Sequence, residues 1–256
     1  PSTGWGRAGE TWNALESLAL LGGPTWFRLG DQDLGTHLER TRRLNAGQTL
    51  TQVTHAFCCA WGISATILPM SDDPVPTMVI TEEGELAFQD YFVHRQCHPE
   101  VTGFRFEGVD RARPAEGVVT ALSNSEGIVF CPSNPWVSLD PILALPGIRQ
   151  TLAARRAEVH VPVIAVSPII GGHTVKGPAA KMYAELGFTP SAMAVARHYY
   201  DLLDGFVIDQ EDAHLAPLIE VKGGPKVLIT NTLMRVPDDR KRLAEEIINF
   251  TEVLRA

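Results

Sequence analysis

Four short apolar runs constrain the fold of this chain more than any other feature: GIVFC (127–131), VPVIAV (161–166), GFVI (205–208) and KVLIT (226–230). Each is continuous rather than alternating and too short for a helix, as expected of strands buried on both faces of a parallel sheet. Helical periodicity fills the intervals at 34–44, 50–61, 114–123, 179–186, 191–203 and 240–254. This alternation predicts an α/β protein, a Rossmann-like three-layer αβα fold with a largely parallel sheet. Residues 65–108 have a different texture. There 77–80, 85–93 and 103–107 read as strands or irregular segments, which suggests an inserted smaller subdomain or lid. Without repeats or a Pro/Ser-rich linker, residues 1–256 read as a single domain carrying that insertion.

Charge and composition remove several classes of function. With 22 Lys+Arg against 30 Asp+Glu the formal net charge is −8, which disfavours a general nucleic-acid or anionic-membrane surface. No apolar run approaches the roughly 20 residues of a membrane span. Cys58, Cys59, Cys97 and Cys131 show no C-x-x-C spacing and read as buried thiols of a reducing cytoplasm. No secretion signal is visible at Pro1, although the start looks trimmed.

In open α/β sheets ligands sit beyond the carboxyl ends of the strands, so the loops there are the places to search. GIVFC is followed by Pro132-Ser133-Asn134-Pro135-Trp136-Val137-Ser138, hydroxyl and amide donors held between two prolines. After VIAV come Gly171-Gly172, then Lys176-Gly177-Pro178 opening a helix. Paired glycines permit close backbone approach, and Lys176 supplies a point charge, so this loop suits an anion; a tight turn with a solvated lysine is the plainer alternative.

Nearer the amino terminus, residues 25–29 read as a short strand leading into Gly30-Asp31-Gln32-Asp33 and a helix containing His37. Asp31 and Asp33 could bind Mg²⁺ or accept a proton from a hydroxyl, while Asp33 also stands where a helix N-cap belongs. Asp72, Asp73, Asp209 and Asp212 are secondary candidates, since aspartates also favour loops for turn reasons. His55 and His198 lack a metal-ligand spacing and read as structural or exposed. Phe88 and Phe92 would share one face of a strand, and Trp136 is the better candidate for stacking on a flat heterocycle. The absence of G-x-G-x-x-G, Walker A and G-x-S-x-G patterns argues against a self-contained dehydrogenase, a P-loop enzyme or an ordinary serine hydrolase.

Several stretches together resemble the 2-phospho-L-lactate transferase family of coenzyme F-420 biosynthesis: GWGRAGETWN (4–13), LGGPTWFRLGDQDLGTHLERT (21–41), LPMSDD (68–73), CPSNPWVSLDPIL (131–143) and SPIIGGHTVKGPAAKM (167–182). The resemblance implies transfer of a phospholactyl or phosphoenolpyruvyl group from a guanosine diphosphate-linked donor to the deazaflavin FO, with release of GMP and with Mg²⁺ as the metal. It also implies a homodimer. On this resemblance Ser133, Asn134, Trp136 and Ser138 lie near phosphate and deazaflavin. Gly171, Gly172, Lys176 and Gly177 lie around the donor, and Asp31 and Asp33 near the acceptor with Trp26, Arg28 and His37 beside them. The family begins with a strand and a Gly-rich loop that are not found before Pro1, so part of the sheet and further metal ligands are expected to be missing. The competing expectation is a nucleotide-sugar-binding regulator of the gluconeogenesis-factor type, which would bind without turnover.

Overall fold

The chain enters through three helices, α1 (Asn13–Leu20), α2 (Asp31–Asn45) and α3 (Leu50–Ala60). It then forms β1 (Thr77–Thr81), β2 (Gly84–Ala87), a π-helical turn (Asp90–His94) and β3 (Val101–Phe106). Strand and helix alternate from there: α4 (Val118–Ser123), β4 (Ile128–Phe130), a π-helical turn (Pro135–Leu139), α5 (Asp140–Leu143), α6 (Ile148–Val159) and β5 (Val163–Val166). A small hairpin of β6 (Ile169–Ile170) and β7 (His173–Thr174) precedes α7 (Ala179–Glu185), α8 (Ala192–His198) and β8 (Gly205–Asp209). A 3₁₀ turn (Gln210–Leu215), α9 (Ala216–Ile219), β9 (Lys226–Thr230) and α10 (Pro237–Arg255) complete the order. This is a computed structural model; it describes residues 6–221 and 223–255, so Gly4 and Trp5 of the 4–13 motif lie outside the described residues.

The four apolar runs pair in parallel in the order β4-β5-β8-β9, with Ile128 opposite Val163, Ile164 opposite Gly205 and Gly205 opposite Lys226. Strand order advances in one direction, so right-handed crossovers place the connecting helices on one face. There Phe130, Val163, Ala165, Phe206 and Ile208 bury against Ile148 and Leu152 of α6 and Val195 of α8. Among the described residues, α10 covers the reverse face, where Leu243 and Ile247 pack on Ile164, Val166 and Val207. Gly205 permits this close approach: a Cβ there would stand 2.7 Å from both Phe250 and Leu254. The result is the expected three-layer αβα arrangement around a parallel sheet.

Within 65–108, β1 lies between β2 and β3 in an antiparallel sheet. Val79, Tyr91 and Val101 bury together with Met182 of α7, so this core leans on the main layer. The structure corrects several local expectations. Residues 85–93 are not one strand: β2 ends at Ala87 and the chain coils, bringing Phe88 and Phe92 into a stack with centroids 5.4 Å apart. Residues 25–29 form no strand; Trp26 stacks on His94 and the Arg28 guanidinium lies over Trp12 instead. Helix α4 starts at Val118 after Gly117 with φ +90°, and α8 ends at His198 rather than continuing to 203. Of the four free cysteines only Cys58 is buried; Cys59 and Cys131 are exposed and Cys97 is half-buried.

Candidate functional site

Loops leaving the carboxyl ends of β4, β5 and β9 converge on a cleft of about 310 Å³. Its lining comprises Pro132, Ser133 and Asn134 after β4, Ser167 and Thr174–Pro178 around and after the hairpin, Thr232–Met234 after β9, and Arg240 of α10. Among the described residues the wall therefore carries two cations, Lys176 and Arg240, with hydroxyl and amide groups, and no carboxylate. In a chain with a net charge of −8 this is a local reversal of sign, and it favours an anion.

Each wall has a local cause. Asn134 caps the π-helical turn by accepting from the Trp136 N–H at 3.1 Å, with Pro135 next in the chain; its Nδ2 points to Met182 Sδ at 3.0 Å. Gly177 takes φ +79° and its carbonyl accepts from Thr174 Oγ1 at 2.9 Å, which curls the segment bearing Lys176. The β9 wall is tied to β8 by Asp209, a buried carboxylate that accepts from the Thr232 N–H (2.8 Å), Thr232 Oγ1 (3.1 Å) and the Glu211 N–H (3.1 Å).

Of the residues singled out in the sequence, Ser133, Asn134, Lys176 and Gly177 meet in this cleft. Gly171 and Gly172 do not line it: with φ of +54° and +79° they make the two-residue turn between β6 and β7. The Gly171 N–H donates to Asp212 at 3.1 Å. Ser138 lies inside the π-helical turn, its N–H bonded to the Asn134 carbonyl. Trp136 faces away, stacked 5.7 Å from Phe104 and tilted 4.3 Å from Tyr183, and it walls a second cavity of about 810 Å³ with Tyr183, Phe188, Arg197 and His198. His198 Nε2 lies 2.9 Å from both Asp140 oxygens, fastening α8 to α5. Arg240 escaped the sequence reading. The available signal was a cation in a helix's first turn, where the dipole favours acids.

The amino-terminal acids do not line the cleft. Asp31 accepts from Thr11 Oγ1 (2.6 Å), the Asn13 N–H (3.1 Å), Asn13 Nδ2 (3.0 Å) and the Ala14 N–H (3.0 Å), closing the first turn of α1. In return Glu10 accepts from the Gln32 and Asp33 N–H groups and closes the first turn of α2. Gly30, not Asp33, is the N-cap of α2. Asp33 receives only the Arg7 N–H at 3.3 Å among the described residues, and His37 is exposed. Asp72 similarly serves Thr51 at the start of α3, and Asp73 receives the Arg113 N–H.

The hydroxyl of Thr11 and the backbone of Ala14 hold the Asp31 carboxyl down at about 2. Because this folded-state value lies below the ordinary 3.8, the stabilisation is complete above about pH 4 and fades as pH falls toward 2. An NMR titration of the Asp31 carboxyl is expected to show that midpoint, and Asp31→Ala to expose 13–20 to limited proteolysis at neutral pH. A midpoint at the ordinary value with unchanged proteolysis would remove Asp31 from the cap.

The described residues contain no group of three or more His, Cys, Asp or Glu placed to hold a metal ion, and both Asp31 oxygens are occupied by the α1 cap. No helix among the described residues is long and apolar enough to cross a membrane.

A parallel sheet whose carboxyl-end loops enclose a cleft with two cations and, among the described residues, no carboxylate defines an α/β protein with a site suited to an anion. The model of the 2-phospho-L-lactate transferase CofD family matches residues 11–236, and the chain belongs to that family, a family of transferases. A phosphoenolpyruvate transferase of Streptomyces griseus subsp. griseus is 42% identical over 259 residues, covering 99% of this chain and 80% of the relative. One from Kitasatospora aureofaciens is 46% identical over 226 residues, 86% of this chain and 69% of the relative. A 2-phospho-L-lactate transferase of Methanosarcina acetivorans is 37% identical over 250 residues, 98% of this chain and 79% of the relative. The crystal structure of protein BH3568 from Bacillus halodurans has the same fold, with a TM-score of 0.60 at 12% identity over 86% of this chain and 72% of that one.

Proposed function

We propose that this transferase moves a phospholactyl or phosphoenolpyruvyl group from a guanosine diphosphate-linked donor to the ribityl hydroxyl of the deazaflavin FO, forming the F-420 precursor and GMP. The observation that carries this reading is the cleft itself, with Lys176 and Arg240 and, among the described residues, no acid in its lining, at the rim to which the sheet topology directs attention. Ser133 and Lys176 hold the donor's phosphoryl oxygens, and Asn134 fixes the turn that presents them.

The acceptor oxygen attacks the phosphorus that bears the acid. A new phosphorus–oxygen bond forms as the bond to the GMP phosphate breaks, and GMP carries away that electron pair. The hydroxyl proton passes to a carboxylate. Asp31, held near 2 with both oxygens engaged, is a weak acceptor; Asp33 keeps an oxygen with no partner among the described residues but does not line the donor cleft, so it takes the proton only where the acceptor reaches from that cleft to the start of α2. Positioning and charge stabilisation supply most of the acceleration in such displacements.

The test is mass spectrometry of products after incubating the chain with FO, Mg²⁺ and each guanylated donor. Expected are GMP and a deazaflavin heavier by the transferred group. Retention of donor without either product would instead favour a binding regulator. Asp33→Asn is expected to lower turnover on the order of 100-fold with donor affinity unchanged. Wild-type turnover in that variant would remove Asp33 from the proton transfer.

A further inference from the structure

The cavity of about 810 Å³ walled by Trp136 shares no lining residue with the donor cleft. Its walls come from the π-helical turn after β4, the end of α7 and α8. Gly187, at φ +82°, stops α7: its N–H donates to the Ala184 carbonyl at 3.0 Å and the Phe188 N–H to the Tyr183 carbonyl at 2.8 Å. That closure sets Phe188 edge-on to Tyr183, ring centroids 6.4 Å apart. Trp136 lies 4.3 Å from the same Tyr183 ring, and Met193 and Leu215 add apolar surface.

These walls are unfinished as packing. Phe188 remains 57% exposed, so more than half of an aromatic residue stands uncovered beside a cavity of the size that small ligands fill. The Tyr183 hydroxyl is buried with no hydrogen-bond partner among the described residues. Arg197, in the last turn of α8, is exposed and has no ion pair among the described residues. The helix dipole tolerates a cation there but supplies no counter-ion. Among the described residues no Asp or Glu lines the cavity, and Asp140 is engaged by His198.

We propose that this cavity is a second binding site, for a flat aromatic ring system that carries one anionic group. The ring packs among Trp136, Tyr183 and Phe188, and the Arg197 fork takes the anionic group. Neither partner of the transfer is its occupant: an acceptor must set its hydroxyl on the donor's phosphorus, and Trp136 presents its ring to this side, away from the cleft.

Calorimetric titration with 2-naphthoate and with its neutral counterpart 2-naphthylmethanol tests the site without reference to turnover. One molecule of 2-naphthoate is expected to bind per chain, at least about 10-fold more tightly than the alcohol. Arg197→Gln is expected to lose about 10-fold for the acid and under about 3-fold for the alcohol, whereas Phe188→Ala weakens both about 10-fold. Both residues are exposed, and an unchanged thermal unfolding midpoint confirms that the variants fold. Wild-type affinities in both variants, or no binding of either probe, would overturn the site. Equal affinity for acid and alcohol in the wild-type chain would overturn the anionic class of ligand. Displacement of 2-naphthoate by saturating FO or GMP would overturn its separateness from the transfer reaction.

Discussion

Lys176→Glu is expected to weaken binding of the guanylated donor on the order of 100-fold and to lower kcat/KM at least as much. Lys176 is exposed at the rim, and its substitution touches no buried contact, so the unfolding midpoint should stay where it is. The size of the effect follows from reversing a unit charge beside a phosphoryl group: an attraction is lost and a repulsion of similar magnitude replaces it. Screening trims both, so the deficit should narrow as salt rises toward 1 M. Lys176→Gln removes the attraction alone and is expected to show about half the effect on a logarithmic scale. Donor affinity unchanged in Lys176→Glu would show that the ligand's phosphates lie elsewhere.

Asp209→Ala is expected to damage stability and binding together. The carboxylate is buried and accepts three hydrogen bonds, two of them from Thr232. Truncation strands the Thr232 N–H and hydroxyl in a buried position, and losing bonds to a charged acceptor costs on the order of 3 kcal/mol. Thr232 also lines the cleft, so the loop after β9 should lose its fixed height and KM for the donor should rise. Asp209→Asn retains an oxygen acceptor and is expected to recover much of the loss. Urea denaturation at neutral pH and initial rates across donor concentration measure the two halves. If Asp209→Ala unfolded at the wild-type midpoint with wild-type KM, the tie between β8 and β9 would carry no weight.

The sheet was readable because burial on both faces writes a continuous apolar run. KVLIT at 226–230 became β9 over the same five residues, and GFVI became β8 with one residue added. Position in the topology was also enough to pick out Ser133, Asn134, Lys176 and Gly177, since carboxyl-end loops cluster whatever their sequence.

What was not readable depends on partners distant along the chain. Gly171 and Gly172 fit both an anion loop and a hairpin turn; the structure makes the turn and anchors it to Asp212, 41 residues away. Asp31 looked free because the groups it caps lie 17 to 20 residues upstream, on a short helix the periodicity did not reveal. Trp136 sits beside the cleft in sequence, yet Phe104 and Tyr183 draw its ring to the other side. Residues 85–93 carried strand-like residues, but the i, i+4 stack of Phe88 and Phe92 belongs to a coil of backbone.

That α10 packs on the reverse face of the sheet has a mechanical corollary. From Ile247, seated against Ile164 and Val207, to Arg240 at the rim is seven residues, roughly 10 Å of stiff rod. A methylene added or deleted under Ile247 shifts that rod lengthwise or tilts it, and the displacement arrives undiminished at the guanidinium. Changes in the hidden hydrocarbon layer would thus be felt as altered grip on ligand, with no substitution made anywhere near it.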